Sequence, residues 1–156
     1  MPSITWELRP FDSLSGLEVY RVLQLRSEVF VVEQDCVYQD MDGRDEDCLH
    51  LIGWWPDCTP VAYARLLAPG QSYEKYSSIG RILSSEKVRG TGAGRELVRR
   101  SIDHCHRLYP GPIKISAQCY LDRFYCSFGF EHTGKEYLED GIPHQEMVLR
   151  LAVARV

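Results

Sequence analysis

No stretch of this chain approaches the roughly 20 consecutive apolar residues that cross a bilayer as a helix, so neither a membrane span nor a membrane partner is expected. Its opening residues, MPSITWELRPFDS, lack the basic start and apolar run of a signal peptide, which points to a cytoplasmic protein. Basic residues are in the minority, 18 Lys and Arg against 22 Asp and Glu for a net charge of −4, so the cationic footprint of a nucleic-acid binder is missing. The six cysteines, at 36, 48, 58, 105, 119 and 126, form no C-x-x-C pair and read as reduced thiols. Cys36, Cys48 and His50 match no zinc spacing, and no metal is expected. There is no internal repeat or low-complexity segment, and 156 residues suit a single domain over 1–156 with one core. The oligomeric state is left open; a homodimer is compatible with the sequence.

Against these absences stand well-marked elements. Ile4 to Phe11 alternates as a strand, and Ser15-Gly16-Leu17-Glu18 has the form of a capping box that should open a helix running to about Phe30. Val19, Val22, Leu23, Val29 and Phe30 would give that helix its buried face. Periodicity then stops, and Glu33, Asp35, Asp40, Asp42, Asp45, Glu46 and Asp47 gather in an acidic loop relieved only by Arg44. That loop reads either as solvated charge or as a negative mouth that attracts a cationic amine. A calcium loop starting at Asp40 is excluded, because Asp45 stands where the pattern needs glycine.

Leu49 to Trp55 and Val61 to Leu67 are strand-length apolar runs joined by a proline-bounded turn, and Ser78 to Ser84 is a further strand. Leu97, Ser101, Cys105 and Leu108 share a helical face that Pro110-Gly111-Pro112 ends. Ile113 to Ala117 is a short strand. Leu121, Phe124, Tyr125 and Phe128 form the stripe of another helix, which Gly129 closes. Strands around Thr133 to Leu138 and Glu146 to Leu151 follow, across Asp140-Gly141. The order implies an α/β (α+β) fold, a mixed central sheet of about six to seven strands flanked by helices.

The chemistry gathers at Arg89-Gly90-Thr91-Gly92-Ala93-Gly94, between a strand and a helix start. Unpaired N–H groups and the positive end of the helix dipole can hold a phosphate there, and glycines admit it closely. A Rossmann fingerprint from Gly90 would need glycine where Arg95 stands, and no G-K-[S/T] of a Walker A loop occurs.

The segment resembles the R-x-x-G-x-G/A pyrophosphate signature of the GNAT superfamily of N-acetyltransferases, through Arg89, Gly92 and Gly94. Downstream, Gln118 to Phe130 is similar to the superfamily's N-x-x-A-x-x-x-Y-x-x-x-G-F segment, with Gln118 and Leu121 in place of Asn and Ala. Leu25-Arg26, Phe30 to Gln34, Tyr38-Gln39-Asp40, Asp42-Gly43 and Glu139 to His144 resemble the ElaA-like branch. The resemblance implies acetyl-CoA as cosubstrate and direct acetyl transfer to the primary amine of a small molecule or peptide in a ternary complex. A non-catalytic acyl-CoA-binding module is the alternative. It implies a cofactor site at Ile82, Leu83, Ser84, Arg89, Gly90, Thr91, Gly92, Ala93, Gly94, Arg95, Gln118 and Tyr125. Tyr125 would be the general acid. Glu33, expected to be partly buried after the apolar Val29 to Val32 run, is the leading proton acceptor, with His50 and His144 as rivals.

Overall fold

Ser15 opens the first helix as its residue pattern requires. Its hydroxyl accepts from the Glu18 N–H at 3.1 Å, and the Glu18 carboxylate accepts from the Ser15 N–H at 2.8 Å. The structure, a computed structural model, describes residues 1–150. Its described strands are β1 (Thr5–Pro10), β2 (Leu49–Trp54), β3 (Pro60–Leu67), β4 (Ser78–Ser84), β5 (Ile113–Gln118), β6 (Glu131–Glu139) and β7 (Ile142–Leu149). The helices are α1 (Gly16–Arg26), α2 (Ala93–Leu108) and α3 (Asp122–Cys126). Class and strand number are those expected. The strands form a four-stranded sheet, β1-β2-β3-β4, and a three-stranded one, β5-β7-β6. The β1–β2, β2–β3, β5–β7 and β6–β7 ladders are antiparallel, and a parallel bridge joins Ser77 to Ile113. Two compact units divide the chain, one of Met1–Leu66 with Arg81–Ser101, the other of 67–80 with the residues from Ile102 onward.

In the first unit β2 and β3 are covered on both faces, which is why they read as near-continuous apolar runs: Leu51, Ile52, Val61, Ala62, Tyr63, Ala64 and Leu66 are fully buried. Val22, Leu25 and Val29 pack on Ile52, Trp54, Tyr63 and Leu83, with Leu14 and Phe30 at the margin. Gly53 lies opposite Trp6, and a Cβ there would come within 2.9 Å of Ile4 and 3.0 Å of the Trp6 ring, so no larger residue fits. The helix expected to reach Phe30 changes hand-hold earlier. α1 ends at Arg26, and Ser27–Glu33 continues as a π-helical segment whose wider turn rotates Val29 inward and ends on Glu33.

In the second unit the Asp140-Gly141 pair has φ of +51° and +77° and joins Glu139 to Ile142, the two-residue turn that matches strand twist. β7 therefore starts four residues before the expected Glu146, and the expected terminus at Leu151 lies outside the described residues. β6, the sheet edge, is almost wholly exposed and is interrupted between His132 and Glu136, both of which discourage edge pairing. Leu108, expected on the buried face of α2, is exposed at the last turn, whereas Cys105 is fully buried.

Candidate functional site

The glycine cluster is a loop pinned at both ends and open in the middle. Val88 and Ala93 are buried against Val61, while Arg89, Gly90, Thr91 and Gly92 are exposed. The Thr91 hydroxyl donates to the Val88 carbonyl at 2.5 Å, which tightens the entry. Gly90 and Gly92 have φ of +78° and +90°, conformations that side chains resist, and a Cβ on either would meet nothing within 4 Å. The space above the loop is thus clear. The 16-residue α2 starts directly after these glycines, and the first N–H groups of a helix have no carbonyl partners within it, the arrangement that takes a phosphate or diphosphate. β4 leads into the loop at the end of the four-stranded sheet, so one edge of Ile82–Ser84 has no strand neighbour in that sheet. Leu83 is buried there, and Ile82 and Ser84 are half-buried; Gly94 is half-buried and Arg95 exposed at the helix start.

Glu33 departs from its expected setting. It is exposed, because the π-helical turn delivers it past the apolar face, and its carboxylate accepts from Arg89 Nη2 at 2.6 Å. The same guanidinium donates to the Ser84 carbonyl at 3.2–3.3 Å, so Arg89 ties Glu33, the end of β4 and the loop together.

The acidic loop corrects both of its sequence readings for its central members. Asp40 is buried and accepts from Arg26 Nε at 2.7 Å, Arg81 Nε at 2.7 Å and the Tyr38 hydroxyl at 3.0 Å. Asp42 forms a two-bond fork with Arg65 at 2.7 and 2.9 Å. Asp45 accepts from Arg26 at 2.7 Å and from Arg65 at 3.1 Å. Three carboxylates against three guanidiniums is a neutral lattice, neither solvated charge nor a negative mouth. Burial alone would raise the Asp42 and Asp45 carboxyls, but Arg65 on the first and Arg26 and Arg65 on the second hold them below the usual carboxylate range. Asp35, Glu46 and Asp47 stay exposed. Sequence reasoning missed the arginines, which lie far from the acids along the chain. Arg81 stands out only in the structure, with a non-glycine φ of +52° within β4.

His50 is enclosed by this lattice. Its Nδ1 accepts from the Tyr63 hydroxyl at 2.6 Å, so its Nε2–H donates to the Asp45 carbonyl at 2.8 Å. Burial lowers its pKa and keeps it neutral. Both ring nitrogens are occupied, which leaves no lone pair for an acceptor's proton.

The second unit carries Gln118, Tyr125 and His144. Gln118, at the end of β5, is in register with His144 of β7, which is in register with Tyr137 of β6. The His144 ring stacks on Tyr137, with Nδ1 2.7 Å from the Ile142 carbonyl and Nε2 3.2 Å from the Glu139 carboxylate. Tyr125 is 6% exposed and packs edge-on to Phe124 and Phe130. Burial, with Tyr120 nearby, pushes its phenol above the ordinary tyrosine value, so it carries its proton throughout the neutral range. The backbone around it is fixed by a Schellman motif: Phe130 N–H donates to Tyr125 O at 3.3 Å and Gly129 N–H to Cys126 O at 2.9 Å, with Gly129 at φ +99°.

Comparison with known proteins places these features in a family setting. The family model described as an acetyltransferase (GNAT) domain matches residues 16–151. Protein ElaA of Escherichia coli is 43% identical over 144 residues, 90% of this chain and 93% of that protein. The crystal structure of an acyl-CoA N-acyltransferase from Pseudomonas aeruginosa is 42% identical, covers 94% of this chain and 99% of its own, and superposes with a TM-score of 0.88. The crystal structure of Escherichia coli ElaA covers the same shares at 41% identity with a TM-score of 0.86.

Proposed function

From the premise that this chain belongs to the GNAT acetyltransferase family, we propose that it transfers the acetyl group of acetyl-CoA directly to a primary amine in a ternary complex. The observation that carries the reading is the loop of Arg89 to Gly92, with positive φ at Gly90 and Gly92, clear space above it and an exposed guanidinium beside the start of α2. Acetyl-CoA supplies a thioester carbonyl and a thiol leaving group. The amides between Arg89 and Arg95 hold the diphosphate, and the open edge of Ile82 to Ser84 pairs with the pantetheine arm, joined by the Gln118 amide. The Leu83 N–H stabilises the developing oxyanion.

The acceptor is a small-molecule or peptide amine. An alkylammonium, with a pKa of about 10.4, must lose a proton before it attacks. Glu33 takes it. Diphosphate on the loop competes with Glu33 for the Arg89 guanidinium, so loading of the cosubstrate and release of the carboxylate are linked. His144 is the remaining rival: its Nε2 contact is to the exposed Glu139 carboxylate at 3.2 Å, which an incoming amine can displace, whereas both His50 nitrogens are engaged within the core. Tyr125 donates its proton to the departing thiolate, whose conjugate acid lies at about 8.5, well below the phenol.

Steady-state rates with both substrates varied test the ternary complex. Intersecting double-reciprocal lines support direct transfer, and parallel lines would show a covalent acyl-enzyme instead.

A further inference from the structure

On the surface of the second unit, α3 and β6 bring together a carboxylate, a thiol and an imidazole. Asp122 and Cys126 are the first and last residues of α3, four apart and so on one face of the helix. His132 reaches them from β6. Asp122 Oδ1, Cys126 Sγ and His132 Nε2 all lie within 4.8 Å of one another. We propose that Asp122, Cys126 and His132 form a zinc site on the surface of this protein, with the fourth position open to water.

The donor set points to the metal. Thiolate sulfur with imidazole nitrogen suits zinc and disfavours magnesium or calcium, which take oxygen ligands. The spacing fits as well. With bonds of about 2.0 Å to nitrogen and oxygen and about 2.3 Å to sulfur, tetrahedral ligand atoms stand roughly 3.3 to 3.6 Å apart. The sulfur of Cys126 is already 3.6 Å from Asp122 Oδ1. His132 Nε2 is 2.5 Å from the same oxygen, and an ion entering between them would open that contact by less than about 1 Å. The side chains of Asp122 and His132 are 41% and 43% exposed, which gives the ion a path in.

Asp122 is also fixed from behind. Gln145, 3% exposed on β7, donates its amide to Asp122 Oδ1 at 3.0 Å, an outer partner of the kind that orients a ligating carboxylate. The Schellman turn after Cys126 fixes the other end of α3. A bound ion would clamp α3 to β6. Acetyl transfer makes no use of it, so the site stands or falls independently of the reaction.

Calorimetry of the full chain with Zn²⁺, with Co²⁺ as a spectroscopic probe, tests the site. The expected result is one Zn²⁺ per chain and a thiolate-to-cobalt charge-transfer band. Cys126→Ser should abolish the band, and His132→Ala should weaken zinc binding about tenfold or more. Cys58→Ser, which removes the other exposed cysteine, should change neither. Circular dichroism of each variant establishes that it is folded. Absence of binding to the wild-type chain, or a band that survives Cys126→Ser, would overturn the proposal.

Discussion

At the scale of single residues, the different surroundings of Tyr125 and Glu33 suit the two proton roles proposed for them. Tyr125 is enclosed by aromatic rings and keeps its proton, whereas Glu33 is exposed and ionically tethered. Tyr125→Phe removes one oxygen from a packed stripe, so it should leave acetyl-CoA affinity intact and lower kcat by roughly 10² to 10⁴ fold, the range for losing a general acid. Calorimetry beside single-turnover rates checks this; equal loss of affinity and rate would make Tyr125 a packing residue. Glu33→Gln frees Arg89 for the diphosphate. Acetyl-CoA should bind at least as tightly while turnover falls by about 10² fold or more. Weaker binding in that variant would break the proposed link between Glu33 and the loop.

At the scale of elements, the loop before α2 depends on two residues in left-handed conformations. Gly92→Val meets no steric obstacle within 4 Å, but it forces a branched side chain into φ +90° and lays it over the amides. Acetyl-CoA affinity should drop at least about tenfold with little loss of fold; unchanged affinity by calorimetry would move the diphosphate elsewhere. The loop was legible from sequence because its signals are local: glycines, a strand before it, an amphipathic helix after it. The capping box and the Asp140-Gly141 turn were legible for the same reason. Two things were not. The π-helical turn that exposes Glu33 follows from how Val29 is drawn into the core, which no local propensity encodes. The pairing of Asp40, Asp42 and Asp45 with Arg26, Arg65 and Arg81 is set by folding, and seen along the chain those acids are only an unmatched run.

At the scale of the whole molecule, that ionic lattice should govern the response to acid. Burial lowers the pKa of His50, so the folded chain binds fewer protons than the unfolded one, and stability should fall as pH drops through about 6.5. The depressed carboxyls of Asp42 and Asp45 stabilise the fold above the unfolded Asp value of about 3.9 and lose that contribution below it. Thermal denaturation across pH should therefore show loss in two stages, and His50→Asn should suppress the upper one. Asp40→Leu would remove one of the two carboxylates paired with a guanidinium that is 1% exposed, at a cost of up to about 3 to 5 kcal/mol by urea denaturation. A change below 1 kcal/mol would mean that Asp45 alone suffices to hold Arg26. The central claim is that this molecule moves an acetyl group onto an amine. Its most direct test is to incubate the protein with acetyl-CoA and a panel of polyamines, aminoglycosides, amino acids and peptides, following thiol release and product mass together. An acetylated amine formed in step with released thiol, and lost in Tyr125→Phe, is the predicted result. Tight binding of acetyl-CoA with no amine in the panel modified would contradict it and leave a protein that binds the cosubstrate without transferring it.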